Sequence, residues 1–150
     1  MVVRGMNEEE TIAELTSDMF SVLKRCSYAK NKMRRTIVKA KKFPIMTSVT
    51  YISPRKNKWL IHITATHKKL KKAPFLVTYV SVRSSDEGLY AALFTFQKGI
   101  KVYFHTPHFF RRYAERLQLD LRGEDVIFHY MQNNTYAVAC SYTYKNGVKA

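Results

Sequence analysis

A short segment in the second half of the chain concentrates the side chains best suited to acid-base chemistry. It runs from His105 to Arg116 and reads HTPHFFRRYAER. His108, Arg112 and Glu115 follow one another at intervals of four and three, so a helix would place them on one face with Arg116. An imidazole can move a proton at neutral pH, and guanidinium groups can stabilise charge on a phosphate. The pattern therefore predicts a site able to cleave a phosphodiester.

Two plainer interpretations apply to the same residues. Glu115 lies three and four positions after Arg112 and Arg111, so it can form an ordinary surface ion pair with either arginine. His108 lies close to a predicted helix N-terminus and can serve only as a cap. Under the catalytic interpretation His108 is the general acid or base, and Glu115 orients it or acts as a base. Arg112 and Arg116 then hold the phosphate.

Histidines spaced three apart also suggest metal binding. His105 and His108 form an HxxH pair, and His129 follows on the next predicted helix. The chain has no HExxH motif and no CxxC pair, and no paired carboxylates accompany these histidines. We therefore predict neither a metal nor a cofactor.

Two short helices are predicted to carry these residues. Thr106 is a suitable N-cap and Pro107 is tolerated at the first helical position, so one helix begins there and continues to about Leu119. The next is predicted over 124–132. After the Asn-Asn break that follows, a closing strand is predicted over 135–144.

The middle of the chain changes to a period of two, which indicates antiparallel strands. In the run that contains Trp59, the residues Trp59 and Ile61 share one face while Leu60 and His62 share the other. This predicts a half-buried strand. His62, facing out of this strand, and His67, in the lysine-rich loop that follows it, are predicted to be solvated. The predicted strands are 45–52, 58–66, 75–82, 89–96 and 100–104.

The N-terminal part is predicted to form one long helix over residues 7–40, with Asn7 as its N-cap. Apolar residues recur there every three or four positions. Acidic residues fill the first half and basic residues the second, which suits the helix macrodipole. Dipole effects act only within a terminal turn, so the seven bases of the second half exceed what this account requires.

These elements predict a single α+β domain spanning residues 1–150. A chain of 150 residues with 46% apolar residues can bury one real core. The expected architecture is a long N-terminal helix packed on a mostly antiparallel sheet of five to six strands, within residues 43–105. Two short helices within 107–132 and the closing strand complete it.

Charge is distributed very unevenly along the chain, which carries a net charge of +15. The 67 residues between Asp18 and Asp86 contain 17 lysines and arginines and no acidic residue. Collecting like charge costs folding free energy, so a polyanionic partner is predicted, with nucleic acid first and RNA favoured over DNA. The predicted nucleic-acid-binding residues are Lys24, Arg25, Lys30, Lys32, Arg34, Arg35, Lys39, Lys41, Lys42, Lys68, Lys69, Lys71 and Lys72.

Aromatic residues are interleaved with these bases and can stack on unpaired nucleobases. The alternative is that most of the rings belong to the core or pair across strands, because a sheet covered by a long helix needs large side chains. The rings in question are Tyr28, Tyr51, Trp59, Tyr79 and Tyr90.

A competing class is a non-enzymatic module whose basic surface binds an acidic protein. No apolar stretch approaches the roughly 18 residues that span a bilayer, so no membrane role is predicted. Cys26 and Cys140 lie in apolar surroundings, which favours buried free thiols and a cytoplasmic location.

The pattern T-x-H-x-x-x-R-x-x-E-R begins at Thr106 and is followed by Asp125-Val126, a predicted strand and an Asn-Gly turn. In this respect residues 101–150 resemble a small bacterial family of domains of unknown function, although Phe109 stands where that family favours a small residue. In outline the family is similar to the RelE-like and barnase-like toxin ribonucleases, compact α+β domains that act on RNA. The residues that this resemblance implies near a ribonuclease site are His108, Arg112, Glu115 and Arg116.

Overall fold

Helices cover both faces of one antiparallel sheet in this chain, and the α+β class predicted from the sequence is confirmed. The computed structural model describes residues 1–66, 75–96 and 99–133. The helices are α1 (Glu8–Thr16), α2 (Met19–Lys39), α3 (Pro107–Arg116) and α4, which is helical over the described residues 124–133. The strands are β1 (Ile45–Ile52), β2 (Lys58–Ala65), β3 (Phe75–Ser85), β4 (Gly88–Thr95) and β5 (Lys101–His105).

The five strands form a simple meander, in which each strand pairs with the next along the chain. All four pairings are antiparallel, with Trp59 opposite Tyr51 and also opposite Ser81. The predicted strands are therefore confirmed within a few residues. The largest difference is β3, which runs three residues further, to Ser85. The extension is possible because Gly88 takes a φ of +130°, which allows a tight turn into β4.

Strand β2 is buried on both faces, which corrects the prediction of a half-buried strand. Trp59, Ile61 and Ile63 pack under α2, and all three are fully buried. Leu60 faces the opposite way and packs in a second cluster, which includes Phe110 of α3 and residues of α4. The alternating pattern of β2 therefore sorts side chains between two cores rather than between core and solvent.

His62 was predicted to be solvated and is instead completely buried. Its Nδ1 lies 2.9 Å from Ser48 Oγ, and its Nε2 lies 3.3 Å from Thr64 Oγ1. Both ring nitrogens therefore have hydroxyl partners. Burial lowers the pKa of His62 from the ordinary value of 6.5, because the charged imidazolium would lose its hydration.

The predicted single helix over residues 7–40 is divided at residues 17 and 18. At that point the Asp18 backbone N–H donates to Leu15 O at 3.0 Å, a tighter turn than the α-helical spacing. The Asp18 side chain points into the protein, where its Oδ2 accepts hydrogen bonds from Ser53 Oγ, Asn57 Nδ2 and Trp59 Nε1 at 2.8, 2.8 and 2.9 Å. These hydrogen bonds hold the junction between α1 and α2 against the β1–β2 turn.

Several predicted features lie outside the described residues. They include the closing strand over 135–144, His67, the lysines of 68–72 and Cys140. In the described part of the chain, no helix combines the length and the apolar character needed to cross a membrane. Cys26 is a buried free thiol, as predicted, and Tyr79 Oη donates to its Sγ at 3.5 Å.

Candidate nucleic-acid interface and the groove on α3

Helix α2 carries seven of the 19 lysines and arginines among the described residues. Its 21 residues extend about 31 Å at 1.5 Å per residue. Val22, Cys26 and Met33 belong to a buried stripe that packs on the sheet. The other sides of the helix form what we call the α2 face. It consists of Lys24, Arg25, Tyr28, Lys30, Lys32, Arg34, Arg35 and Lys39.

Tyr28 is the aromatic residue at the middle of the α2 face. Its side chain is 55% exposed, although a tyrosine on a packed helix would ordinarily bury its ring. Arg25 lies over the ring at 5.4 Å from its centroid, and Lys32 lies over it at 4.8 Å. These spacings of three and four residues bring the cations to the ring along the helix surface.

The second half of α2 passes over the start of β3. The head groups of Lys30 and Arg34 lie 5.8 and 5.6 Å from the centroid of the Phe75 ring. Thr66 and Phe75 are the described ends of the connection that carries the predicted lysines of 68–72. The basic side chains of α2 therefore reach one described end of this connection.

Some of the described basic residues pair with a carboxylate of the chain, and others do not. Arg55 binds Glu14 with Nε and Nη2 at 3.0 and 2.8 Å, and Lys58 pairs with Glu124 on α4. The Arg55 guanidinium, followed by the chain's amino terminus, lowers the pKa of Glu14 to about 2. Within the described residues, no carboxylate pairs with a base of the α2 face. Its charge is therefore available to a partner.

The remaining predicted rings are less available to nucleobases. Trp59 and Tyr79 are buried in the core, 0% and 6% exposed, so the alternative core interpretation is correct for both. Burial raises the pKa of Tyr79 above its ordinary range. Tyr51 and Tyr90 are both half-buried. Tyr28 is the most exposed of the five.

The predicted catalytic residues lie on α3, which begins as the sequence indicates. Thr106 caps it by accepting from the Phe109 N–H at 3.2 Å, and Pro107 follows. A shallow groove of about 460 Å³ runs along the helix and is lined by His108, Arg112 and Arg116. Three of the four predicted residues therefore come together on one surface.

Glu115, the fourth predicted catalytic residue, does not line this groove. It is exposed on a neighbouring part of α3. In the ranges covered by the structure, Glu115 also makes no ion pair with Arg111 or Arg112, so the surface-pair alternative is not formed. Among the described residues, Glu115 therefore neither forms an ion pair nor lines the groove.

Tyr113 and His129 form a contact that the sequence did not reveal. Tyr113 lines the groove, and its hydroxyl is hydrogen-bonded to His129 Nδ1 of α4 at 2.8 Å. His129 also lies 3.3 Å from Asn133 Nδ2. No spacing in the sequence could have indicated this pair, because it depends on how α4 packs against α3.

His105 lies in an aromatic cluster rather than in the groove. Its ring is 4.7 Å from that of Phe109, 5.8 Å from Phe110 and 5.4 Å from Tyr130, measured between centroids. Burial lowers the pKa of His105, so it is neutral at pH 7. Among the described residues, no three His, Cys, Asp or Glu side chains are grouped so that they could hold a metal ion.

The α2 face and the α3 groove lie on opposite sides of the sheet. Helix α2 packs with Ile61 and its neighbours, whereas Phe110 of α3 packs with Leu60 and the second cluster. Adjacent strand residues point to opposite faces, so the two surfaces do not form one continuous site.

Comparisons of this chain with protein-family models, with curated proteins and with solved structures gave no match.

Proposed function

We propose that this protein binds single-stranded RNA on the α2 face. The observation that carries the proposal is the exposed Tyr28 ring between Arg25 and Lys32. The lysines and arginines of this helix have no carboxylate partner among the described residues. Unpaired bases stack on exposed aromatic rings, and neighbouring cations hold the phosphates. This combination favours a flexible single strand over a duplex, whose bases are already stacked.

An acidic protein is the alternative partner for the same cations. A carboxylate-rich surface would use the charge of the α2 face but would not require an exposed ring at its centre. Tyr28 therefore favours RNA, and the two partners predict different effects of removing that ring. RNA binding also depends on counterion release, which gives a characteristic dependence on salt.

The experiment that tests the proposal is a titration of labelled single-stranded RNA at several salt concentrations. The test variant changes Lys24, Lys32 and Arg35 to glutamine, which removes three exposed charges of the α2 face. Each lost phosphate contact reduces the slope of log K against log salt by about 0.7 for a single strand. The triple variant should therefore have a slope about 2 smaller in magnitude than the unmodified protein.

A matched control removes the same charge elsewhere. Arg4, Lys56 and Arg122 are exposed, lie outside α2 and can be changed to glutamine together. The control should keep the original slope, because its net charge falls equally but no contact is lost. Equal slopes for both triple variants would show that binding follows net charge alone, and the proposed interface would be abandoned.

RNA cleavage in the α3 groove is a second candidate function, favoured by one arrangement. His108, Arg112 and Arg116 line the same groove as Tyr113, whose hydroxyl is paired with His129. An imidazole beside two guanidinium groups can supply proton transfer and charge stabilisation for phosphodiester cleavage. The resemblance of residues 101–150 to a small bacterial family that is similar in outline to toxin ribonucleases also supports this candidate.

Incubation with labelled RNA in EDTA tests the cleavage candidate. Under this candidate His108→Ala abolishes cleavage, and Arg112→Ala reduces it by roughly 100-fold through lost charge stabilisation. Arg111→Ala is the matched control, because Arg111 is the adjacent arginine on α3 and does not line the groove. Cleavage that is absent, or that survives His108→Ala, would eliminate this candidate without affecting the proposed RNA binding.

A further inference from the structure

A further cleft lies between the N-terminal segment and the end of the sheet. Its apolar part encloses about 300 Å³ and is lined by Val2, Met6 and Leu15 on one side. The Val2 backbone N–H donates to Asn57 Oδ1 at 2.8 Å, which fixes the N-terminal segment in place. A volume of this size is at the lower end of the range for small-molecule sites.

Small residues in the sheet create the space. Ser81 of β3 and Ala92 of β4 are cross-strand partners, both line the cleft, and both are buried. Large side chains at these positions would fill the gap beneath the N-terminal segment. Phe104 of β5 lies beside Ala92 in the sheet register and also lines the cleft.

Arg83 lies where this apolar cleft meets a second, more polar cleft. Arg83 and Tyr90 line both clefts, and they are direct cross-strand partners. This register places the Arg83 guanidinium 4.6 Å from the centroid of the Tyr90 ring. The neighbouring ring restricts where the guanidinium can lie, and a guanidinium can bind both oxygens of a planar carboxylate.

The donors of Arg83 are not used inside the described protein. Arg83 is half-buried, and among the described residues no carboxylate pairs with it and no acceptor lies within hydrogen-bonding distance of its guanidinium. Tyr90, by contrast, donates its hydroxyl to Glu87 at 3.3 Å. The guanidinium donors are therefore available to a ligand that enters the cleft.

We propose that this cleft binds a small amphipathic carboxylate, with its carboxylate on Arg83 and its apolar body in the 300 Å³ cavity. Carboxylates also line the cleft, and they disfavour a ligand that carries more than one negative charge. Glu8 lines the apolar part, and Asp86 and Glu87 line the polar part together with Arg4. A phosphate dianion would meet more repulsion from these carboxylates than a carboxylate would.

Titration with octanoate, followed through the ¹³C-labelled methionine methyl groups, tests the proposal. Met6 lines the cavity, whereas Met33 and Met131 are buried in the two cores and serve as internal references. The Met6 signal should shift saturably, with a Kd of roughly 1 mM or below for a ligand of this size. The signals of Met33 and Met131 should not change.

Two variants test separately how the charge and the cavity contribute to octanoate binding. Arg83→Gln should weaken octanoate binding by about tenfold through loss of the charged hydrogen bonds, and Ala92→Leu should abolish it by filling the cavity. Lys56→Gln, a charge change outside the cleft, should bind normally.

Three results would overturn the proposal. They are an unsaturable Met6 shift in the unmodified protein, equal affinity for octanoate in Arg83→Gln, and equal affinity of the unmodified protein for 1-octanol and octanoate. Since Arg83→Gln changes a half-buried rim residue, its result stands even if Ala92→Leu fails to fold.

Discussion

Tyr28 distinguishes an RNA-binding surface from a merely basic one. We predict that Tyr28→Ala weakens binding of single-stranded RNA by about 5- to 150-fold, because stacking of one base contributes roughly 1–3 kcal/mol. Tyr28→Phe keeps the ring and should bind almost normally. Fluorescence anisotropy with a labelled oligonucleotide measures both variants.

The stability of Tyr28→Ala provides the check on this result. Tyr28 is exposed, so its removal should change the free energy of unfolding by less than about 0.5 kcal/mol. Equal affinities of the alanine and phenylalanine variants would show that the ring does not contact a base. In that case an acidic protein would be the simpler partner for the lysines and arginines of α2.

His62 should make stability depend on pH in a definite direction. Its folded-state pKa is lowered by burial, so below about pH 6.5 the unfolded chain binds a proton that the folded chain excludes. The free energy of unfolding therefore falls as pH falls from 7 to 5, by at most about 1.4 kcal/mol per pH unit for each such histidine. His105 acts in the same direction.

Urea denaturation at pH 7, 6 and 5 measures this effect. His62→Gln should flatten the dependence, because glutamine can still hydrogen-bond Ser48 or Thr64 and does not titrate. His108→Gln, a change at an exposed histidine, should leave the dependence as it is. An unchanged dependence in His62→Gln would contradict the assignment of His62 as a buried neutral side chain.

At the scale of elements, the break between α1 and α2 depends on one buried carboxylate. We predict that Asp18→Ala lowers the free energy of unfolding by about 2–4 kcal/mol, because Ser53, Asn57 and Trp59 would each lose a buried acceptor. Chemical denaturation measures the loss. Asp120→Ala, in an exposed loop, is the control and should cost less than about 0.5 kcal/mol.

A small loss in Asp18→Ala would mean that the β1–β2 turn does not depend on this carboxylate. The sequence could not show the break, because the apolar stripe of the two helices continues through residues 17 and 18. The side chain of Asp18 is used by residues more than 30 positions away. Such a contact exists only after the sheet has formed.

The strands were easier to predict than the environment of their faces. Alternation and turn residues specify where a strand lies, and β1 and β2 were predicted almost to the residue. Alternation does not specify what covers the second face, so His62 was wrongly placed in solvent. The α3 N-terminus was also predictable, since Thr106 and Pro107 act locally.

For the whole molecule, the decisive feature is that the two candidate surfaces face away from each other. The sequence contains no information on which side of the sheet each helix packs, so it could not show whether the basic residues within 24–72 and His108 lie on one surface. In the structure α2 covers the face that contains Ile61, and α3 covers the face that contains Leu60. RNA bound along the α2 face would therefore not occupy the α3 groove, and binding does not require cleavage.

The central claim, that the α2 face binds single-stranded RNA, is tested most directly by competition at physiological ionic strength. Labelled single-stranded RNA is titrated with the protein, and the complex is then challenged with unlabelled RNA or with polyglutamate of equal total charge. We predict saturable binding that unlabelled RNA displaces and polyglutamate does not, because polyglutamate lacks bases to stack on Tyr28. The absence of saturable binding, or equal displacement by the two competitors, would contradict the claim.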